Sequence, residues 1–283
     1  MKMSYDPQVK QVENNIVISG VEHFDLKQTF DCGQAFRWQE LSDGTWGAIV
    51  SEKYRRVGFC EGDIVIYNCD INEYEAFWKE YLDIDRDYGA IIEKLSENDI
   101  LKNAANENKG IRILKQDKWE TLCSFIISQN NNIPRIKAIV ERLCEHFGEK
   151  LTEGYTFPTA EKIAALEPED LSSIRAGFRA RYIIDGARKF VSNEINRNLV
   201  ETADIDTARN ELMKIKGVGV KVADCTLLFG YNRVDALPKD VWIKRAIEQF
   251  FDGEFPSCAS GFEGIAQQYL FNYIRNLYEN PTK

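Results

Sequence analysis

Over the opening third of the chain, apolar residues gather in short runs of alternating or β-branched character: IVISGV (16–21), FRWQEL (36–41), TWGAIV (45–50) and IVIYNC (64–69). Turn formers separate them, among them Ser42-Asp43-Gly44 and Glu61-Gly62-Asp63, and the pattern predicts an antiparallel meander. From about Asn72 the apolar spacing lengthens to three and four, first in YEAFWKEYL and YGAIIEKL, which is helical periodicity. Helices are then predicted over 118–128, 134–147, 160–166, 181–195, 206–215, 220–230 and 240–251. The expected fold class is α+β, sheet first and helices after. No internal repeat or long linker marks a boundary; the division is placed at 1–108 for the β-rich part and 109–283 for the helical part, with a helical hairpin at about 206–230.

Composition narrows the classes. At 283 residues with 44% apolar positions the chain is long enough to bury a core, which excludes disorder as the whole answer. Apolar runs are a few residues long, far short of the roughly 20 that a membrane span needs, and MKMSYDPQVK has no signal-like apolar core. Expectation is therefore an intracellular, reducing location, the nucleoid-bearing cytoplasm or the nucleus, with no membrane partner. Seven cysteines without a CxxC pair argue against a disulfide framework and against an iron–sulfur or tetrathiolate site. Two histidines, His23 and His146, leave little for a histidine metal centre, so no metal is expected.

The net charge of −9 speaks against a nucleic-acid partner until its distribution is considered. Residues 1–100 hold 10 Lys+Arg against 20 Asp+Glu, while the remainder holds 26 against 25. Within the balanced part, 175–189 carries Arg175, Arg179, Arg181, Arg188 and Lys189 against Asp185. Such a stripe suits phosphates; taken alone it equally suits a solvated helix face.

Chemistry concentrates in LMKIKGVGVKVADCTLLFG (212–230), where two helices meet across Gly217-Val218-Gly219. Paired glycines permit a tight turn and leave the next helix's first amides bare, a cradle for phosphate. A glycine C-cap in an ordinary hairpin is the plainer alternative. Lys221 follows in the first turn of the second helix, where a cation is disfavoured by the helix field and is correspondingly suited to act as an amine nucleophile. Cys225 lies four residues on and shares its face. Asp240, in LPKDVWIKRAI, precedes a further helix; N-capping is its ordinary role, and a free carboxylate oxygen there can also stabilise a developing cation.

KGVGVKVADC, with the aspartate of LPKD nineteen residues beyond the lysine, resembles the helix-hairpin-helix motif of the base-excision DNA glycosylase superfamily. Together with FDCGQAFRW (30–38), SQNNNIPRIKAIVERLC (128–144), GFRARYI (177–183) and GIAQQYLF (264–271), it is similar to the Ogg-type 8-oxoguanine DNA glycosylases over nearly the whole chain. The resemblance implies a TATA-binding-protein-like antiparallel sheet domain ahead of the helical glycosylase domains. It implies a glycosylase and β-elimination lyase in base excision repair, monomeric and acting on duplex DNA that contains oxidised guanine. Lys221 matches the nucleophile that attacks C1′ and Asp240 the catalytic aspartate. Gly33, Gln267, Phe271 and Cys225 match the groups that hold the flipped base, the Gly33 carbonyl reading its N7–H. Asn130 matches the residue filling the vacated space, Phe178 the wedge, and Arg135 and Arg179 the pair that holds the orphaned cytosine. Gly217, Gly219 and Val220 match the phosphate-binding hairpin, and Trp242 stands where many relatives have a phosphate-contacting histidine. Lys216 stands where proline often precedes the glycines, and Phe178 where many relatives have tyrosine. No cofactor is implied, hairpin carbonyls of the superfamily can hold a structural cation, and no four-cysteine cluster is present. Two rivals remain on the residues: a helix-hairpin-helix glycosylase for alkylated bases, and a non-catalytic DNA-binding protein that uses Lys221 only as a phosphate contact.

Overall fold

The computed structural model describes residues 5–279. Six strands form one antiparallel sheet, β1 (Gln8–Val12), β2 (Asn15–Ser19), β3 (Gln39–Glu40), β4 (Trp46–Val50), β5 (Lys53–Cys60) and β6 (Asp63–Tyr67), in the order β1-β2-β6-β5-β4-β3. Ile16, Ile18, Ile64 and Ile66 alternate inward at matched register and lose all or nearly all their exposure. Phe30 stacks on Trp38 with ring centroids 4.0 Å apart, and the Trp38 indole N–H donates to the Tyr81 hydroxyl at 2.8 Å, so the sheet's face is closed by aromatics.

The predicted strand at 36–41 shrinks to Gln39–Glu40 because its aromatics are used in two directions. Phe36 joins the helical core, edge-on to Phe125 at 5.7 Å, while Trp38 stays under the sheet. β5 is absent from the predicted pattern because Lys53, Arg55 and Arg56 hide its alternation. Those cations are partnered: Arg55 forms a two-bond pair with Glu73, at 2.8 and 2.6 Å, and Arg56 lies over the Tyr67 ring and pairs with Asp43. Hydrogen bonding from Arg55 outweighs burial and holds the Glu73 carboxyl at about 2. A depressed carboxylate contributes stability that is complete above its unfolded value and is lost as pH falls through the folded one. Stability is therefore expected to drop between about pH 4.5 and 2, and Glu73→Gln to cost on the order of 2 kcal/mol at pH 7 while flattening that acid limb. Denaturant melts at pH 7, 4 and 2.5 measure both.

Helices follow as the periodicity predicts, at Lys118–Ser128, Ile133–Phe147, Ala180–Val191, Ile205–Leu212, Val220–Tyr231 and Val241–Phe250. The long Glu263–Glu279 helix closes the chain by packing on Asp99–Asn108, so residues from both ends of the sequence share one helical core. Fully buried Arg112 ties the segments ahead of that helix pair together: its guanidinium donates to the carbonyls of Glu22, Asp83 and Arg86 and lies 4.2 Å from the Tyr88 ring centroid. Among the described residues no helix is long and apolar enough to cross a membrane, and all seven cysteines are free thiols.

Candidate active site

The hairpin is built from Ile205–Leu212, a turn, and Val220–Tyr231. Gly217 has φ +76°, and an added Cβ there would sit 2.3 Å from the Tyr182 ring, so glycine is required twice over. Gly219 differs from expectation: its φ of −101° is open to any residue, and an added Cβ would meet nothing. Its contribution is bare space in front of a helix end with no side-chain cap, leaving the amides of Val220, Lys221 and Val222 aimed outward. The turn is held from behind, since Asp185 accepts from the Lys216 amide at 2.7 Å and Lys189 donates to the Lys214 carbonyl. Gly217→Ala is expected to cost about 2 kcal/mol of stability and to weaken duplex affinity, whereas Gly219→Ala leaves stability within about 0.5 kcal/mol. Paired thermal melts separate the two.

The basic stripe is less available than its sequence suggests. Arg188 donates to the carbonyls of Ala164 and Leu166, Lys189 is engaged as above, and Arg179 is buried. Arg179 donates to the carbonyls of Gln129, Ala176 and Asn130, clamping the turn in which Asn130 takes φ +48°. Burial first, then the like charge of Arg135, lowers its pKa. Arg135 itself is exposed, as is Phe178, whose ring lies under the Arg179 guanidinium at 4.6 Å.

Lys221 points back toward the Lys118–Ser128 helix. Its Nζ donates to Ser128 Oγ at 3.3 Å and sits 5.2 Å from the Phe125 ring centroid. The Ser128 hydroxyl donates its own proton to the Phe125 carbonyl at 2.8 Å, so only lone pairs face the amine. Cys225 is buried against Lys221; burial pushes the thiol up to about 11, with the lysine charge opposing that rise, so sulfur stays protonated at neutral pH. Asp240 is both cap and neighbour. Its Oδ1 accepts from the Ile243 amide at 2.8 Å, its charge reaches Cys225, and Oδ2 has no hydrogen-bond partner among the described residues.

A second group assembles where the amino-terminal loop meets the last helix. Gly33 has φ +85°, and an added Cβ would lie 3.3 Å from Ile133 Cδ1 and 4.0 Å from Phe271 Cε1, which places the amino-terminal loop against the last helix. Two residues that sequence reasoning passed over hold this loop. Buried Gln34 donates to the carbonyls of Thr29 and Arg112 and accepts from the Leu114 amide, and Gln268 donates to the Cys32 carbonyl at 2.9 Å. The Gly33 carbonyl accepts no hydrogen bond among the described residues. Gln267, on the same helix as Phe271, is 5% exposed, and its Oε1 is buried without a partner. An orphaned buried acceptor costs about 1–3 kcal/mol, which a ligand offering donors restores. Two crevices of about 520 and 530 Å³ between sheet and helices share Phe36, Arg37 and Trp38, and neither includes Lys221, Asp240 or Gln267. No set of three or more His, Cys, Asp or Glu arranged to hold a metal ion occurs among the described residues.

Residues 16–122 match the family described as 8-oxoguanine DNA glycosylase, N-terminal domain, and residues 123–254 match the HhH-GPD superfamily of base excision DNA repair proteins. The solved Clostridium acetobutylicum 8-oxoguanine glycosylase/lyase, in complex with DNA bearing cytosine opposite 8-oxoG, is 36% identical and covers 98% of this chain and 100% of its own, with a TM-score of 0.90. The chain is an Ogg-type member of the HhH-GPD superfamily. This Ogg-type protein is also 38% identical to MBOgg1, solved with a low-affinity DNA ligand, at a TM-score of 0.90 over 96% of this chain and 99% of that one. The Saccharomyces cerevisiae N-glycosylase/DNA lyase is 40% identical over 153 residues, which is 48% of this chain and 41% of the yeast protein. A 3-methyladenine DNA-glycosylase from Archaeoglobus fulgidus, 20% identical at a TM-score of 0.64, shares the fold.

Proposed function

We propose that this protein is a bifunctional DNA glycosylase/AP lyase that excises 8-oxoguanine, preferably opposite cytosine, in base excision repair. The observation that supports the reading is the Lys221 amine and the Asp240 carboxylate converging on Cys225, in a chain whose amino-terminal loop and last helix carry two unpaired acceptors, the Gly33 carbonyl and Gln267 Oε1. 8-Oxoguanine presents N–H donors at N7 and along its Watson–Crick edge; guanine presents a lone pair at N7. A fixed carbonyl opposite N7 favours the first and repels the second, discrimination worth a few kcal/mol. Phe271 supplies one stacking face and Cys225 the other.

The amine of Lys221 attacks C1′, the C1′–N9 bond breaks, and its electron pair leaves with the base, which takes up a proton. Asp240 stabilises the positive charge that develops at C1′. Loss of the amine proton and opening of the sugar give a Schiff base, and removal of a C2′ proton then expels the 3′ phosphate. Every step uses groups of the chain and substrate, and no cofactor or hairpin cation takes part. Flipping the nucleotide out costs a few kcal/mol, offset by Asn130 in the vacated space and Phe178 as wedge. Arg135, exposed beside Asn130, is the freer of the two arginines to hold the orphaned cytosine; Arg179 shapes the turn that presents it. The bare backbone amides at the turn of Gly217, Gly219 and Val220 grip a lesion-strand phosphate. In this reading residues up to about 108 carry the lesion-reading loop, and 109–283 carry the chemistry, in a monomer.

Single-turnover release from duplexes carrying 8-oxoguanine opposite each base, beside duplexes carrying 3-methyladenine, tests the reading. Release of 8-oxoguanine, fastest opposite cytosine, is expected. Release of 3-methyladenine with 8-oxoguanine untouched contradicts it and favours the alkylated-base alternative; binding without release of either favours the non-catalytic one.

A further inference from the structure

We infer that Trp242 and Tyr278 form a stacking platform for an unpaired base of single-stranded DNA running out of the site. The inference rests on the DNA-repair reading above and adds a second ligand class to it. Trp38, Trp46, Trp78 and Trp119 are all buried, at 5% exposure or less, whereas Trp242 is 41% exposed. The helix Val241–Phe250 buries Ile243, Ala246 and Ile247 on its inner face, so the core makes no use of the Trp242 ring. Tyr278, exposed on the last helix, meets it with ring centroids 5.1 Å apart and planes tilted by 42°. Two large aromatics from separate helices thus converge on solvent.

Charge identifies what covers them. Arg245, exposed and in no ion pair among the described residues, holds its guanidinium 5.8 Å from the Trp242 ring, and Lys239 and Lys244, also exposed and in no ion pair there, flank Trp242 in sequence. In a chain of net charge −9, an unpaired arginine against an exposed ring, with two unpaired lysines within three residues of Trp242 in sequence, fits a polyanion better than a typical protein partner. Within a duplex both faces of each base are covered by its neighbours, so an aromatic ring stacks only on a base that has lost one, at a gap, a frayed end or a single strand. Trp242 lies two residues beyond Asp240, so the platform and that carboxylate share one helix end.

The test needs no lesion and no turnover, so its failure leaves the glycosylase reading standing, and a failed glycosylase assay leaves it standing in turn. Because one tryptophan is exposed, acrylamide quenching of native fluorescence reports on that ring. Saturating octathymidylate is expected to shield Trp242, and the accessible component is expected to vanish in Trp242→Phe. By anisotropy of labelled octathymidylate, Trp242→Ala and Tyr278→Ala are each expected to weaken binding at least about fivefold. Lys244→Gln with Arg245→Gln is expected to lower the salt slope by about 1.4. Octathymidylate that binds without shielding Trp242, or that does not bind, overturns the inference even if the alanine variants fail to fold.

Discussion

Lys221→Gln is expected to lower base release from an 8-oxoguanine duplex roughly a thousandfold or more in single-turnover assays, with lesion-duplex affinity within about threefold of native. Glutamine fills much of the same space and still donates to Ser128, so the site keeps its shape. What disappears is the nucleophilic amine, and with it the covalent route. If Lys221 were only a phosphate contact, the pattern reverses: affinity falls, the salt slope flattens, and release slows only as far as binding does. Ser128 enters the same test, since its hydroxyl is constrained to accept from the amine.

Asp240→Asn is expected to reduce release about a hundredfold to a thousandfold while changing stability by less than about 0.5 kcal/mol. Asparagine still accepts from the Ile243 amide, so the helix end is preserved and only the charge facing C1′ is lost. Asp240→Ala removes cap and charge together and is expected to cost a further ~1 kcal/mol of stability. Equal rates for native and Asn forms indicate a residue that caps a helix and does no chemistry. Denaturant melts alongside single-turnover rates distinguish these cases.

The hairpin was legible because turn chemistry is local: Gly217, Lys221 and Asp240 stand at fixed offsets, and the helices around them carry clean periodicity. β5 was not, because its arginines are paid for by Glu73, Asp43 and Tyr67, partners distant in sequence. Gly219 and Gly217 look equivalent as letters and differ in the fold, one giving open space and the other a left-handed turn. Arg179 looks like a surface cation and is buried under three carbonyl acceptors, an arrangement that requires the 129–130 turn to fold against it. Gln34, Gln268 and Ser128 were silent for a related reason. Each positions another group through bonds to chain that is remote in sequence, and composition records only a polar residue.

The most direct measurement is borohydride trapping on a duplex with one 8-oxoguanine opposite cytosine, followed by peptide mapping of the adduct. A covalent DNA adduct on native protein, mapped to Lys221 and absent in Lys221→Gln, is the predicted result. Base release with no adduct, or an adduct that persists in Lys221→Gln, contradicts the account and transfers the chemistry to water activated beside Asp240 or to another amine.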